Sequence, residues 1–219
     1  MARFIDRTDA GRQLAKTLND YRNRPGMLVL GLARGGVPVA FEVATQLDLP
    51  LDVMVVRKLG VPGHEEYAMG AVAPNGIQVL NTSAIEVLNI PDAVITEAAK
   101  RGSLEIERRE KAYRGNVPPP DIAGKKIILI DDGLATGMSL FAAIRYLHKY
   151  QPAKIIVAVP IAAADTAREI DQIADEFYCL LLPEPFYSVS NWYEEFNQVN
   201  DAEVLRLISR PQGPLQKAS

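Results

Sequence analysis

Cysteine is almost missing from this chain. Cys179 stands alone among 219 residues, which excludes an internal disulfide framework. It lies in the apolar run Phe177-Tyr178-Cys179-Leu180-Leu181-Leu182, so the expectation is a buried strand residue and not a nucleophile. Long apolar runs are missing too: the longest, near Ile155 to Ala164, falls far short of the roughly 20 residues that span a bilayer. The start, Met1-Ala2-Arg3-Phe4-Ile5-Asp6-Arg7, has no apolar core of a signal peptide, and a cytoplasmic location without a membrane partner is expected. No charge sign dominates, with 24 Lys and Arg against 27 Asp and Glu, which argues against a nucleic-acid surface. Histidine is scarce, and His64-Glu65 does not open a zinc motif because Ala68 stands where the second histidine belongs. With 48% hydrophobic residues and no low-complexity tract, the chain can bury one substantial core unaided.

What is present centres on Ile127 to Ser139, IILIDDGLATGMS. Lys126-Ile127-Ile128-Leu129-Ile130 is β-branched and continuously apolar, as a strand buried on both faces of a parallel sheet requires. Asp131 and Asp132 then fall at its carboxyl end, where open α/β sheets bind ligands. From Met138 to Leu147 the apolar spacing is helical, so the intervening loop meets a helix N-terminus whose free N–H groups favour an anion, and Gly133 and Gly137 permit close approach. Two adjacent carboxylates would repel a bare phosphate but can accept hydrogen bonds from neighbouring ribose hydroxyls. A ribose 5-phosphate is the implied ligand. The loop has no lysine before its hydroxyl residue, so it is not a Walker A loop, and it lacks the G-x-G-x-x-G order.

Four apolar residues, two acids and a loop containing Thr136-Gly137 resemble the signature of the type I phosphoribosyltransferases. The resemblance implies an α/β fold, a parallel sheet flanked by helices, with a small hood. It also implies that Asp131 and Asp132 bind the ribose hydroxyls of phosphoribosyl pyrophosphate (PRPP), and that Ala135, Thr136, Gly137, Met138 and Ser139 bind its 5-phosphate. A second apolar strand breaks into Ala33-Arg34-Gly35-Gly36, which looks like the family's pyrophosphate loop; Arg34 suits bidentate phosphate contact, and Gly35 frees a backbone N–H. A third, Leu51 to Lys58, ends in two cations. In the family a basic residue here contacts pyrophosphate, a role carried to Lys58 first and Arg57 second; the alternative is a strand that ends in solvent.

The segment after it, about 60 to 70, corresponds to a loop that closes over the substrate and excludes water. Glu66, beside Tyr67, is the nearest counterpart of a glutamate that assists proton transfer, with Glu65 second. Magnesium is expected to arrive with PRPP, near Asp131 and Asp132 but without a direct protein cage. Some purine-specific members carry an aspartate where this chain has Ala135, whereas adenine-type members have alanine. A nucleobase acceptor is expected, purine favoured. Base recognition falls to a hood at about 183–200 that gathers the only Trp with several Phe and Tyr; Phe186 and Trp192 are the candidate stackers, against the alternative that they simply pack.

Strands near 27–33, 51–58, 126–131, 154–160 and 177–182 alternate with helical segments. A single domain over 1–210 is expected, followed by a polar tail, 211–219. Asp9 is positioned to cap a first helix from Ala10 to Tyr21 in which Leu14 and Leu18 share a face. Asn75-Gly76 predicts a hairpin over Ala68 to Asn81. The insertion at about 82–120 is the least family-like part, with two helices; the charge mixture from Ile95 to Arg114 predicts a solvated or subunit-facing helix. A homodimer is the expected assembly. The competing functional class is a non-catalytic PRPP- or nucleotide-binding regulator, and a third is a phosphate-sugar-binding or hydrolytic α/β enzyme that needs neither Arg34 nor Lys58.

Overall fold

The computed structural model describes residues 3–61 and 63–209, without the side chains of His64, Glu65 and Glu66; the expected tail lies outside these residues. In chain order the elements are α1 (Arg7–Thr17), β1 (Met27–Ala33), α2 (Gly36–Leu47), β2 (Leu51–Val55), β3 (Arg57–Val61), β4 (His64–Ala73) and β5 (Ile77–Leu80). There follow α3 (Thr82–Val87), α4 (Asp92–Arg114), β6 (Lys126–Ile130), α5 (Met138–His148), β7 (Lys154–Ile161), α6 (Ala164–Asp171), β8 (Glu176–Leu181) and α7 (Asp201–Ile208). Two compact units result. One holds the described residues of 1–54, 120–135 and 151–219, the other those of 55–119 and 136–150.

The first unit is built on a five-stranded sheet in the order β2-β1-β6-β7-β8. Parallel registers pair Gly31 with Ile130 and Ile130 with Ala158. The β-branched runs that predicted these strands are buried throughout β6 and β7 beyond their first residues, as the two-sided burial of a parallel sheet demands. Val29, Ile128, Ile130 and Ile156 share a core with Leu14 and Leu18 of the amino-terminal segment and with Val39, Val43 and Leu47 of α2. The first helix starts earlier than predicted. Asp6 is its N-cap and accepts from Asp9 N, while the Asp9 carboxylate accepts from Ile5 N, so the two acids cap reciprocally and Asp9 is not the cap itself.

At the amino-terminal end of β7 and β8, Glu176 accepts from Lys154, Tyr21 and Tyr178. Burial opposes its ionisation, yet these hydrogen bonds hold its carboxyl at about 2.

The second unit contains the antiparallel sheet β3-β4-β5, on which α4 and α5 pack. The predicted hairpin is present: β4 pairs with β5 from Ala73↔Ile77 outward, and Asn75 adopts left-handed backbone angles with φ 58° at the turn. The strand expected over 51–58 is two strands. The main-sheet strand stops at Val55, and Arg57 begins β3, whose partner is β4, so Arg57 and Lys58 lie within an antiparallel ribbon and not at a parallel strand end. The region expected as a closing loop pairs as well, with Leu59 opposite Gly70 and Val61 opposite His64. Nor is α4 a merely solvated helix: Ile95, Ala98, Ala99, Gly102, Ile106, Arg109 and Tyr113 are buried at three- and four-residue spacing. Ala98, Ala99 and Gly102 fill the middle of that stripe and Arg109 interrupts it, so the surrounding charge masks it in the sequence.

Candidate active site

From β1 the chain passes through α2 to β2 on one side of the sheet, whereas from β6 it proceeds to β7 on the other. The carboxyl ends of β1 and β6 therefore form a topological switch point, the crevice where open α/β sheets hold ligands. Arg34-Gly35-Gly36 follows one of these strands and Asp131-Asp132 the other. The two loops are packed closely enough that only glycine fits. A Cβ on Gly35 would overlap Asp132 Oδ2, and one on Gly36 would stand 2.6 Å from the Ile130 carbonyl oxygen. The Ala33–Arg34 peptide is cis. Arg34 Nη1 is 3.9 Å from Asp201 Oδ1, so α7 borders the same loop.

Asp132 is held by residues that no motif identified. Arg7 Nε donates to Asp132 Oδ2 at 2.8 Å and Arg7 Nη1 donates to the Asn197 carbonyl at 2.7 Å, while the guanidinium carbon lies 3.8 Å above the Phe196 ring. The Arg7 and Asp132 side chains are 11% and 15% exposed, which shelters the pair from solvent screening. Tyr193 Oη donates to the Asp132 carbonyl at 2.6 Å; burial, reinforced by the nearby Asp132 carboxylate, pushes its pKa above the usual range and keeps it a donor. Asp131 Oδ1 in turn accepts from Asp132 N at 2.9 Å. The only sequence signal for this support is the aromatic density of residues 186–196, and nothing local ties Arg7 to an acid so far along the chain.

The hood lies beside this strand end. A Cβ at Gly133 would stand 2.6 Å from Val189 and 2.9 Å from Ile161. Phe186 and Trp192 are partly buried against Phe4, Ala10, Ile161 and Tyr193. Phe4 N donates to the Trp192 carbonyl, and Glu194 N donates to the Phe4 carbonyl, so the amino-terminal residues are built into the hood.

The remaining expected residues are distributed over both units. Ala135 closes the first unit's share of the loop, its carbonyl accepting from Thr166 Oγ1 at 2.6 Å. Thr136 opens the second unit's share; Gly137 has φ 67° as the N-cap of α5, with Met138 and Ser139 in the first turn. No side chain caps that helix, so its amino end keeps N–H groups for a ligand. On β3, Arg57 faces α4, with its Cγ 3.6 Å from a Cβ built on Gly102; strand alternation puts Lys58 on the other face. The Glu66 side chain lies outside the described residues. Cys179 lies in β8 as expected but is only partly buried; that burial still raises its thiol to about 12, and no helix of the described residues is long and apolar enough to cross a membrane.

Substituting Arg7→Ala is expected to lower stability by about 2 kcal/mol, because it leaves a sheltered carboxylate without its charged donor. Arg7→Lys should recover part of that loss, since it keeps the charge and loses the planar fork. Urea denaturation of the three proteins gives the order.

Comparison with known proteins bears on the family of the chain. The family model described as "Phosphoribosyl transferase domain" matches residues 6–181. A Mycobacterium tuberculosis (strain H37Rv) protein provisionally named a phosphoribosyl transferase is 40% identical over 210 residues, 96% of this chain and 47% of that protein. The chain thus spans about half the length of the curated relatives it matches. A crystal structure from Thermus thermophilus is 37% identical and covers 94% of this chain and 97% of its own, with a TM-score of 0.76. The uracil phosphoribosyltransferase of Aquifex aeolicus (strain VF5) is 32% identical over 77 residues, 34% of this chain and 37% of that protein.

Proposed function

Because the chain belongs to the phosphoribosyl transferase domain family, we propose that it transfers ribose 5-phosphate from PRPP to a nucleobase, purine favoured, and releases pyrophosphate. The observation that carries this reading is the placement of Asp131-Asp132 against Arg34-Gly35-Gly36 at the switch point between β1 and β6.

In the proposed reaction a base nitrogen forms a bond to the anomeric carbon as the bond to pyrophosphate breaks, and the nitrogen's proton leaves. Asp131 and Asp132 accept hydrogen bonds from the ribose hydroxyls. Since Asp132 Oδ2 is already engaged by Arg7, Oδ1 is the oxygen left for a sugar hydroxyl. Ala135 to Ser139 receive the 5-phosphate. Arg34, Gly35 and Lys58 stabilise negative charge as it develops on the leaving pyrophosphate, an effect strongest where water is excluded. Arg57 faces α4, so the pyrophosphate role rests on Lys58. Glu66 takes the proton, and Phe186 and Trp192 present ring faces to the base.

Among the described residues no group of three or more His, Cys, Asp or Glu side chains gathers as a metal site. The hard carboxylate oxygens of Asp131 and Asp132 would suit a magnesium ion that arrives with PRPP and is held chiefly by its phosphates and by water. Bound there, magnesium would neutralise charge on the pyrophosphate. The chain is proposed to act in the cytoplasm as a homodimer.

Calorimetric titration with PRPP, with and without magnesium, tests the reading. Micromolar magnesium-dependent binding, about −8 kcal/mol, is expected, followed by pyrophosphate release with adenine, guanine or hypoxanthine and less with uracil. Binding without release for any base would make the chain a PRPP-binding regulator; no binding would remove the transferase reading.

A further inference from the structure

The second unit contains a groove of about 360 Å³ between the edge strand β3 and helix α4. Its size falls at the small end of the roughly 300–1,000 Å³ typical of small-molecule sites. Leu59, Ala98 and Gly102 line it from buried positions and give it an apolar floor. Gly102 has no room for a side chain, since a Cβ there would stand 2.6 Å from Val72 Cγ1 of β4 and 3.4 Å from Leu59 Cδ2 of β3; the helix backbone is therefore seated on the sheet.

Over this floor the charge is unbalanced. Arg57 and Arg101 border the groove with exposed side chains; Lys58 touches it too, although strand alternation directs its side chain to the other face of β3. Glu105 is the one acid among them, and it is already committed: it accepts from Arg108 at 2.7 and 3.0 Å and from Arg109 at 2.7 Å. Those hydrogen bonds, from Arg108 first, hold its carboxyl at about 2 despite burial. Elsewhere on α4, Arg108, Arg109 and Arg114 each pair with a glutamate. Arg101 has Glu97 four residues before it and Glu105 four after, the spacing that favours helical ion pairs, yet among the described residues it forms no ion pair, and neither does Arg57.

Two guanidiniums that pair with no acid among the described residues, one from each wall, offer planar bidentate donors to a tetrahedral dianion, and the apolar floor offers burial to a flat organic group.

We propose that the groove between β3 and α4 is a second ligand site, taking a small aromatic or heterocyclic phosphomonoester through Arg57 and Arg101. The inference rests on the second unit alone and stands whether or not the proposed transferase activity does.

Phenyl phosphate is a suitable probe because it has no ribose hydroxyls, and saturating ribose 5-phosphate can be present throughout to occupy a sugar-phosphate site. Calorimetry on the intact chain should then show one phenyl phosphate site, weakened at least tenfold by Arg101→Gln and by Arg57→Gln. Inorganic phosphate, which leaves the floor uncovered, should bind more weakly. Arg101 is exposed, so Arg101→Gln should keep the thermal midpoint and the PRPP affinity of the parent. Equal affinity of parent and Arg101→Gln for phenyl phosphate, loss of binding when ribose 5-phosphate is added, or no binding at all would each overturn the proposal.

Discussion

Changing Asp131 and Asp132 together to asparagine should weaken PRPP binding at least a hundredfold and abolish its dependence on magnesium. A hydrogen bond to a charged group is worth about 1.5–3 kcal/mol, so two such acceptors amount to about 3–6 kcal/mol, or two to four decades of affinity. Asparagine keeps the shape of the side chain, but it presents one oxygen where the carboxylate presents two and has no charge for a cation. The substitution should also lower stability modestly. Arg7 is 11% exposed and would then donate to a neutral amide while its charge remains sheltered. Far-ultraviolet circular dichroism separates the two effects: a folded double variant with lost PRPP affinity supports the ribose-hydroxyl role. Magnesium-dependent affinity within roughly threefold of the parent, about 0.7 kcal/mol, removes these carboxylates from the site.

How much of this arrangement could be read beforehand depends on how local its cause is. Strand β6 and the Asp131-Asp132 pair were legible because a buried parallel strand needs an uninterrupted apolar run, and the run ends where the acids begin. The turn at Asn75-Gly76 was legible for a similar reason, since few residues tolerate positive φ. The break between β2 and β3 was not. Leu51 to Val56 gives no turn signal before Arg57, and only the pairing of Arg57 with Val72 in a second sheet ends the first strand. The buried stripe of α4 was hidden because its few large apolar residues, Ile95, Ile106 and Tyr113, are interspersed with Ala, Gly and one arginine, whose burial is decided by the sheet beneath. Arg7 was missed for the plainest reason. Its partners are Asp132, Phe196 and Asn197, and only the folded chain brings them to residue 7.

The same close packing that escaped the sequence predicts opposite consequences for two neighbouring glycines. Gly36→Ala should lower stability by about 3 kcal/mol, near the upper end of overpacking costs. Its Cβ would stand 2.6 Å from the Ile130 carbonyl oxygen and 2.8 Å from Asp131 Cα, backbone atoms at the end of central strand β6 and just beyond it, which cannot yield without disturbing the β1–β6 register. At Gly35 the obstruction is a side-chain atom, Asp132 Oδ2, which can rotate away only by giving up Arg7. Gly35→Ala should therefore lose more PRPP affinity than stability, and Gly36→Ala the reverse. Urea midpoints and PRPP titrations on the pair give the comparison. If Gly36→Ala is as stable as the parent, β1 and β6 do not hold their loops as tightly as described. If Gly35→Ala binds PRPP unchanged, the Asp132 carboxylate is not fixed by that contact, and its hold on a ribose hydroxyl must come from Arg7 and Tyr193 alone.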